Sequence, residues 1–598
     1  MARELPKRSE VNTADTWALE DMYRSWEEWE QDVKKVQELA AQVEGRRSCM
    51  TDSAKELLET LRLYAACGQT LDLCANYAAR ASDVDTKDTV NQAYYQRIMS
   101  IAVDSSARMA FLEPKVLELS QETLERYLQE EPELSEYQIW LEEILRRKAH
   151  TLSAELEELL AAAGEMGQTP ENIFSMFSDA DIEFPEITDE KGEQVRLTSG
   201  RYISMVSSPD RRVRKDAFLA LYGTYKKFEN TLAATYNGQV KQLMFQAKAR
   251  KYGSTLEASV DGDNVSPQVY ENLIEAINEN MDKMHRYVSL RKKCMGLEEL
   301  HMYDVYVPMI ADADRKVPYA EAKETVLKAV APLGERYVSL VKEGFENRWI
   351  DVYENQGKRS GAYSAGAYGT HPYVLLNYDE KLDDMFTLAH EMGHSMHSYF
   401  TNETQPYLYS RYKIFVAEVA STCNEVLLME YLLANTTDKK ERAYLVNHFL
   451  DSFKSTVYRQ TMFAEFEKIT NAMAEAGESL TADSVKKVYY DLNCKYFGPD
   501  MVSDPEIAWE WCRIPHFYYN FYVYQYATGF SAAVAIARRI LREGQPAVDD
   551  YMKFLSGGCS KSPVELLKIA GVDMTTKAPI QEALDVFGEL LDEMETLI

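Results

Sequence analysis

The sequence predicts a mainly α-helical protein with a small β-sheet directly before one histidine-containing helix. Three observations support this fold class. Apolar residues recur through most of the chain at the three- and four-residue spacing of an amphipathic helix. Helix start signals are frequent, since a serine precedes a proline at Ser208 and again at Ser266. Only two segments interrupt the helical spacing, and both contain glycine next to short apolar runs.

Helices are expected in order along the chain wherever the apolar residues keep this spacing. The clearest of these segments are residues 53–66, 121–130, 153–163, 211–227 and 269–280. The first interruption, residues 181–198, has alternating apolar residues on both sides of a turn that contains Gly192, which predicts a hairpin. Heptad repeats are not sustained, so we expect a body of packed helices rather than a coiled coil.

The second interruption precedes a helix that carries two histidines. Residues 361–369 are rich in glycine and tyrosine, and residues 373–378 form a short run of β-favouring apolar residues. A run of this length is typical of a buried strand. We therefore expect a small sheet immediately before a helix at residues 382–400.

Length and composition describe a folded protein of more than one lobe. The chain has 598 residues, of which 46% are hydrophobic and 27% charged, as is typical of globular proteins. A chain of this length exceeds one ordinary domain. We place a boundary near residue 200, which divides a helical N-terminal lobe, residues 1–200, from a catalytic lobe, residues 201–598.

Charge and cysteine usage exclude several classes of function. The formal net charge is −30, which argues against partners such as nucleic acid or an anionic membrane surface. No run of about 18 apolar residues is present, so no membrane-spanning helix is expected. Residues 1–13 lack the apolar core of a signal peptide. The eight cysteines form no Cys-x-x-Cys pair, and a cytoplasmic location is expected.

Two histidines one helical turn apart predict a metal site. His390 and His394 project from the same face of the predicted helix, where their neutral ring nitrogens can bind one ion. Glu391 is rotated by about 100° from His390, so it is better placed to act on water as a general base than to bind the metal. The chain has only nine histidines, and this spacing is the signature of a zinc hydrolase.

A third metal ligand is expected from the following helix, because position 400, where metzincins have a third histidine, is Phe. Glu418 is an isolated carboxylate in an apolar run, and a zinc ion would give it the partner that burial demands. Glu425 follows on the same helix face and can hydrogen-bond a ligand histidine. His397 is two turns from His390, too far to share the ion. We expect it to support the ligands or contact substrate, with plain packing as the alternative.

Residues 515–526 contain one histidine and several tyrosines. Tyr519, Tyr522 and Tyr526 are at helical spacing and are expected to share one face of a helix. Hydrolysis of an amide places negative charge on the carbonyl oxygen, and a phenol hydroxyl or an imidazole N–H can donate to it. His516 and these tyrosines are therefore candidate catalytic residues, with an aromatic core as the alternative.

Four runs of sequence resemble oligoendopeptidase F, of the thimet oligopeptidase (neurolysin-like) family of zinc metallopeptidases. They occur in the order seen in that family and comprise residues 357–364, 387–397, 415–421 and 515–526. The resemblance extends from about residue 115 to near the C-terminus, and residues 115–185 resemble the N-terminal region of oligopeptidase F.

The resemblance implies an elongated helical body of two lobes around a deep channel, with one zinc ion on the channel wall. It implies endopeptidase cleavage of short peptides, because folded proteins cannot enter such a channel. It also implies a set of functional residues, in which the zinc ligands are His390, His394 and Glu418 and the general base is Glu391.

The resemblance further implies that the glycine-rich loop and the adjacent strand contact the substrate backbone. The residues concerned are Gly361, Tyr363, Gly366 and Tyr368. Glycine permits close backbone approach, and a strand edge can pair with an extended peptide. In the thimet branch the transition-state tyrosines lie on a glycine-rich loop. Residues 515–526 lack those glycines, so which of their tyrosines takes the key position stays open.

The predicted function is zinc-dependent hydrolysis of internal bonds in short peptides, with Glu391 as base and His516 and a tyrosine as oxyanion donors. One alternative is a zinc carboxypeptidase or dipeptidyl-carboxypeptidase of related fold, in which Arg513 would bind the free C-terminal carboxylate. Another is a peptide-binding protein that retains zinc without activity, against which the intact Glu391 argues. Short peptides are the expected partners, and no oligomeric state follows from the sequence.

Overall fold

The computed structural model describes residues 4–310 and 316–598, and most of them are helical. Helices α1 to α14 are Trp26–Gly45, Ala54–Asp83, Thr89–Met109, Leu112–Leu117, Gln121–Glu130, Gln138–Arg146, Ala154–Gly167, Thr169–Met176, Ser199–Val206, Arg211–Tyr225, Glu229–Ala249, Thr255–Asp261, Pro267–Glu279 and Met281–Cys294. Helices α15 to α25 are Tyr319–Ala329, Glu335–Glu346, Leu382–Thr404, Ile414–Asn435, Lys439–Ser452, Arg459–Glu475, Ala482–Phe497, Tyr524–Glu543, Gln545–Leu555, Pro563–Ile569 and Ala578–Leu597. The prediction of a mainly α-helical protein is confirmed.

The described strands are short and form three small sheets. Strands β1 to β7 are Glu186–Thr188, Gln194–Arg196, Leu300–His301, Ile350–Asp351, Tyr363–Ala365, Tyr373–Leu375 and Met501–Val502. The predicted hairpin is the antiparallel pair β1 and β2. The predicted sheet before the histidine helix has the order β4-β6-β5, with β4 parallel and β5 antiparallel to β6. Strands β3 and β7 form a parallel pair.

Helix starts follow the capping chemistry of the sequence, with one shift. Ser266 caps α13, as predicted, because its side chain accepts the backbone N–H of Gln268. Helix α10 is capped by Asp210 rather than by Ser208, since the Asp210 carboxylate accepts the N–H of Arg212. No described helix combines the length and the apolar character that crossing a membrane requires.

The described contacts divide the chain into two compact units, and neither is one continuous stretch. Unit 1 comprises Met1–Ala149, Arg315–Tyr431 and Ile536–Val572, and unit 2 comprises His150–Asp314, Leu432–Ala535 and Asp573–Ile598. The boundary predicted near residue 200 falls inside unit 2. Each unit therefore draws on early and late parts of the sequence.

In unit 1, the N-terminal residues pack on the three-stranded sheet. The backbone N–H of Ala18 donates to the carbonyl of Arg348 at 2.8 Å, and the N–H of Val352 donates to the carbonyl of Asp15 at 3.0 Å. Tyr373 of β6 donates its hydroxyl to the carbonyl of Ala18 at 3.1 Å. The chain ahead of α1 thus covers the sheet that precedes α17.

In unit 2, a buried carboxylate fixes the segment that leads into residues 515–526. Glu510 is 1% exposed. It accepts hydrogen bonds from the hydroxyls of Tyr222 at 3.0 Å and Tyr489 at 2.6 Å, and from the Arg459 guanidinium at 2.7 Å. These contacts join α10, α20 and α21, and they stabilise a charge that burial alone would disfavour.

Candidate active site

Helix α17 carries His390, Glu391 and His394. Its start is stabilised by Asp384, whose carboxylate accepts the backbone N–H groups of Asp379 at 2.8 Å and Lys381 at 2.9 Å. Its apolar residues are buried and anchor the helix in unit 1. Because His390 and His394 are one turn apart, their rings lie on one face with centroids 4.8 Å apart.

Helix α18 crosses α17 at very short distance, at Gly393. A Cβ atom on Gly393 would lie 2.6 Å from both the carbonyl oxygen of Ala420 and the Cα of Ser421. Asn424 of α18 donates to the carbonyl of Ala389 at 3.0 Å, and its own carbonyl accepts the hydroxyl of Tyr337 at 2.9 Å. These residues carried no signal in the sequence, yet they set the distance between the two helices.

The crossing brings Glu418 to the two histidines. One oxygen of Glu418 lies 3.3 Å from Nε2 of His390 and 3.4 Å from Nε2 of His394. The three donor atoms all lie within 4.8 Å of one another and can hold one metal ion. Two imidazole nitrogens and a carboxylate oxygen are the ligand set of a catalytic zinc site with an open position.

Glu425 selects the tautomer of His390 that a metal requires. The Nδ1–H of His390 donates to a Glu425 oxygen, so that loss of the other ring proton frees Nε2, on the Glu418 side, to bind a metal. A carboxylate behind a ligand histidine fixes the ring and makes the imidazole more basic. The residues present therefore fit a zinc ion.

The electrostatics of this group favour positive charge. Burial lowers the pKa of His390, but hydrogen bonds with Glu418 and Glu425 outweigh it and raise that pKa to about 10. Burial raises the pKa of Glu418, but its hydrogen bonds with His390 and His394 hold the pKa well below the ordinary range. A cation at this point would be stabilised by both carboxylates.

Glu391 is the remaining carboxyl group beside the ligands. It is 6% exposed, and burial raises its pKa while the two histidines lower it. No described residue lies within hydrogen-bonding distance of its Oε2. A buried carboxyl oxygen without a protein partner can accept a proton from a small molecule bound beside it.

His397 is buried instead of facing a solvent-accessible site. It is 1% exposed, and its ring stacks on Tyr412 at 3.8 Å with 3° between the planes. The ring of Phe554 lies 5.3 Å away. Burial lowers the pKa of His397 to about 3. This environment favours the packing alternative, and its predicted substrate contact stays a prediction.

Strand β5, which lies within the glycine-rich segment, is attached to α17. The Ser364 hydroxyl lies 2.9 Å from the Ser395 hydroxyl, which donates to the carbonyl of Glu391 at 2.9 Å. Tyr363 donates to Asp83 at 2.6 Å, and Tyr368 donates to the carbonyl of Gln405 at 3.0 Å. These contacts fix the strand, and among the described strands none pairs with the edge of β5 that faces away from β6.

Two predicted substrate-binding glycines flank this strand. Gly361 is exposed and has a φ of 85°, a conformation that favours glycine. Gly366 is also exposed and follows the last residue of β5. Both positions leave the backbone accessible, as contact with an extended peptide requires.

The aromatic segment lies in unit 2 and is not the continuous helix that its spacing predicts. Residues Pro515–Tyr518 form a 3-10 turn, and α22 begins only at Tyr524. Between them Asn520 and Phe521 have φ values of 53° and 59°, which turns the chain. Tyr519 and Tyr522 are thus on a turn, because tertiary contacts override the helical spacing.

The turn nevertheless brings the predicted side chains together. The ring of His516 lies 5.5 Å from Tyr519, 6.3 Å from Tyr522 and 5.9 Å from Tyr526. The Tyr526 hydroxyl is 3.4 Å from Nε2 of His516. Burial lowers the pKa of His516, which favours a neutral ring. We call these four residues the aromatic cluster.

Arg513, the cation named for a carboxypeptidase alternative, is engaged inside unit 2. Its guanidinium lies 3.4 Å from Glu510 and 5.3 Å from the centre of the Tyr202 ring. These partners occupy a group that would otherwise bind a C-terminal carboxylate. The structure therefore offers no support for that alternative at Arg513.

Comparisons with known proteins identify the relatives of this chain. The family model described as "Peptidase family M3" matches residues 204–586, and a second, "Oligopeptidase F", matches residues 115–184. Oligopeptidase PepF of Bacillus subtilis is 48% identical over 597 residues, covering 100% of this chain and 89% of that protein. An oligoendopeptidase F homolog of Lactococcus lactis is 41% identical, and the match covers 99% of this chain and 98% of that protein.

Solved structures show the same fold. The crystal structure of a protein from Chlamydophila abortus has a TM-score of 0.94 at 35% identity and covers 100% of both chains. The crystal structure of oligoendopeptidase F from Enterococcus faecium has a TM-score of 0.74 at 39% identity, covering 96% of this chain and 99% of that one.

Proposed function

The chain belongs to peptidase family M3 and is an enzyme of the oligoendopeptidase F type, and from this premise we propose that it hydrolyses internal bonds of short peptides with a single zinc ion and Glu391 as general base. The observation that carries the proposal is the geometry of α17 and α18. It places two imidazoles and a carboxylate around one point, with an unpartnered carboxyl oxygen beside them.

His390, His394 and Glu418 would hold the ion. Bound there, zinc supplies Lewis acidity that polarises the scissile carbonyl and makes water more acidic. Glu425 keeps His390 in the ligating tautomer through the Nδ1–H hydrogen bond.

Glu391 moves the proton. Its Oε2 accepts the proton of the attacking water and then delivers it to the nitrogen of the leaving amine. Burial raises its pKa, which suits both steps, because a base with a raised pKa binds the proton more readily and can still release it to an amine.

The peptide backbone would pair with the outer edge of β5. Glycines at both ends of the strand keep that backbone approachable, and the contacts of Ser364, Tyr363 and Tyr368 hold it in place. The names of the relatives, oligopeptidase and oligoendopeptidase, support short peptides as the substrate class.

We assign the developing oxyanion to the aromatic cluster. A neutral His516 and the tyrosine hydroxyls are hydrogen-bond donors of the required kind. The 3.4 Å contact between Tyr526 and His516 supports joint action of the two. Single substitutions Tyr519→Phe, Tyr522→Phe and Tyr526→Phe would identify the donor as the one whose loss lowers kcat by about 100-fold.

The test of the base is Glu391→Gln. We expect zinc content to stay at one ion per chain while turnover of an internally quenched peptide, blocked at its C-terminus, falls by at least about 100-fold. Cleavage of the blocked peptide by the wild-type enzyme also separates an endopeptidase from a carboxypeptidase.

The matched control is Glu403→Gln, on the same helix. Glu403 forms a surface ion pair with Arg336, and its side chain is 47% exposed. The control should keep wild-type turnover. Full activity of Glu391→Gln with zinc bound would refute the assignment of the base.

A further inference from the structure

The turn inside the aromatic cluster has an unusual backbone. Six non-glycine residues have positive φ in the part of the chain that the structure describes, and Asn520 and Phe521 are the only adjacent pair. Asparagine tolerates this left-handed region, whereas a bulky aromatic residue is rarely found there. A conformation that the local sequence disfavours must be held by contacts from elsewhere in the fold.

Two buried side chains of unit 2 supply those contacts. Glu467 of α20 accepts the backbone N–H of Phe521 at 3.0 Å. Gln239 of α11 donates to the carbonyl of Tyr518 at 3.1 Å and to the side-chain oxygen of Asn520 at 2.9 Å. Together the two side chains form hydrogen bonds with Tyr518, just before the turn, and with both of its left-handed residues, Asn520 and Phe521.

The side chain of Phe521 provides a third anchor. It is 3% exposed, and its ring meets the ring of Tyr270 edge-on at 5.6 Å. The Tyr270 hydroxyl donates to the carbonyl of Ala464 on α20 at 2.6 Å. The same helix therefore holds both the ring and the backbone N–H of Phe521.

Glu467 is a costly residue for a packing role. It is 2% exposed, no described residue is within hydrogen-bonding distance of its Oε2, and the Phe521 N–H is the only hydrogen bond found for its carboxyl group. Burial raises its pKa to about 8. An apolar side chain would fill this position at less cost, so the acceptor itself is the distinctive contribution of Glu467.

What this acceptor holds in place is the aromatic cluster. His516 and Tyr519 precede the turn, and Tyr522 and Tyr526 follow it. Their ring separations of 5.4 to 6.4 Å depend on the chain reversing between them. If Phe521 returned to an ordinary φ, Tyr522 would be redirected relative to His516.

We propose that Glu467 and Gln239 are positioning residues of the enzyme, which hold the Asn520–Phe521 turn in its left-handed form and so align the aromatic cluster for catalysis. The proposal rests on the proposed function, in which that cluster acts on the oxyanion. Neither residue touches substrate. Their contribution is to kcat, through the geometry of donors that operate only when the substrate is reacting.

The experiment compares three substitutions on two helices. Glu467→Ala removes the acceptor, Glu467→Gln keeps an acceptor oxygen in a neutral isostere, and Gln239→Ala removes the second anchor by an uncharged truncation. Each is assayed for kcat, KM, zinc content and melting temperature with a short quenched peptide.

The matched control is Glu465→Ala, two residues away on α20. Glu465 is also a buried carboxylate, but it bonds to Tyr496 at 2.9 Å and to Lys495 at 2.6 Å rather than to the turn. The Glu465→Ala variant measures how much the loss of a buried carboxylate from α20 lowers the stability of the fold.

We expect Glu467→Ala and Gln239→Ala to lower kcat by about 10- to 100-fold, with KM within about threefold and zinc content unchanged. Glu467→Gln should recover most of the lost kcat. Glu465→Ala should lower the melting temperature and keep kcat. If Glu467→Ala does not fold, Gln239→Ala decides the question with the same criteria.

Two results would overturn the proposal, and only the second would also refute the catalytic role of the aromatic cluster. If both anchor variants keep wild-type kcat while His516→Ala loses it, positioning alone is refuted. If His516→Ala and the three tyrosine-to-phenylalanine variants also keep kcat, the catalytic role of the cluster is refuted, and the positioning role is lost with it.

Discussion

At the scale of single residues, the metal group shows how a second carboxylate prepares a histidine. His390 would present the wrong nitrogen if its proton were on Nε2. Glu425 prevents this by accepting the Nδ1–H. The two carboxylates around His390 thus have separate tasks, since Glu418 faces the metal position and Glu425 faces away from it.

Removal of Glu425 should therefore weaken zinc binding without removing a ligand. We expect Glu425→Ala to lower zinc affinity by about 10- to 100-fold, measured by competition with a chelator. The control is Glu430→Ala, five residues further along α18, where the carboxylate pairs with Arg538 at 3.4 Å. Equal affinities of the two variants would contradict the role of Glu425.

Glu467 gives a pH dependence of stability. Its pKa is raised from an ordinary value of 4.5 to about 8 by burial. Below pH 4.5, Glu467 is protonated in both the folded and the unfolded chain. Between pH 4.5 and about 8, Glu467 is ionised in the unfolded chain and protonated in the folded one, so folding takes up a proton. The contribution of Glu467 to the stability of the wild-type protein therefore falls by about 1.4 kcal/mol for each unit that the pH rises.

Glu467→Gln should abolish this contribution. The melting temperature of the variant relative to wild type should therefore rise between pH 5 and pH 8, as measured by circular dichroism. Glu465→Gln provides the comparison, because its carboxylate is paired with Lys495. A constant difference between Glu467→Gln and wild type over this range would show that Glu467 is ionised in the folded protein.

At the scale of helices and strands, the site depends on one close crossing. Helix α18 can carry Glu418 to the histidines only because residue 393 has no side chain. Asn424 then fixes the register of the two helices through the carbonyl of Ala389. The same helix α17 is attached on another side to β5 through Ser364 and Ser395.

A methyl group at this crossing should disturb the metal site. Gly393→Ala forces the helices apart, and we expect a loss of about 1–3 kcal/mol in stability together with weaker zinc binding. Gly223→Ala on α10 is the control, because no atom lies within 4 Å of the Cβ it would add. The control should be neutral or stabilising, as helix propensity predicts. Zinc binding unchanged in Gly393→Ala would show that the crossing adapts.

The elements that could be predicted from the sequence are those whose signals, such as a capping residue or an apolar stripe, lie close together along the chain. Helix α5 has the predicted bounds, because Ser120 caps its first turn and an apolar stripe runs along it. The metal group was predictable for the same reason, since the histidines are four positions apart and Glu418 is isolated in an apolar run. The extent of unit 1 could not be predicted from the order of the sequence, because its three segments come together only in the folded state.

The aromatic segment could not be predicted locally. Its tyrosine spacing indicates a helix, and neither Asn520 nor Phe521 is a glycine. The turn is imposed by Glu467, which lies 54 positions away along the chain. Gln239 is more distant still, and a glutamine inside a helix gives no sign of its partner. Such contacts become visible only once the tertiary structure is known.

At the scale of the whole molecule, unit 1, which contains the candidate metal site, is assembled from three separate stretches of chain. Arg8 pairs with the buried Asp351 of β4 in the three-stranded sheet, and Asp83 of α2 accepts the hydroxyl of Tyr363. Late in the chain, the carbonyl of Leu555 accepts the hydroxyl of Thr401 on α17 at 2.7 Å. Helix α17 is supported from both ends of the sequence.

A fragment of residues 201–598 should therefore fail as a catalytic domain, even though the family M3 match begins at residue 204. The fragment lacks α1 to α8 and the residues that cover the sheet. We expect it to bind zinc weakly and to melt without a cooperative transition, measured by metal analysis and calorimetry. A fragment with wild-type turnover would show that the N-terminal residues are dispensable.

The interleaving of the two units also has a consequence for synthesis on the ribosome. The chain passes between the units five times, and the last stretch of unit 1 ends at Val572. The nascent chain contains all three proposed metal ligands once Glu418 has been added, but the residues of α23 that support α17 come later. At about 5–20 residues per second, the delay until Val572 is on the order of 10 to 30 s. Unit 1 is incomplete during that interval, so we expect metal loading to follow the addition of Val572.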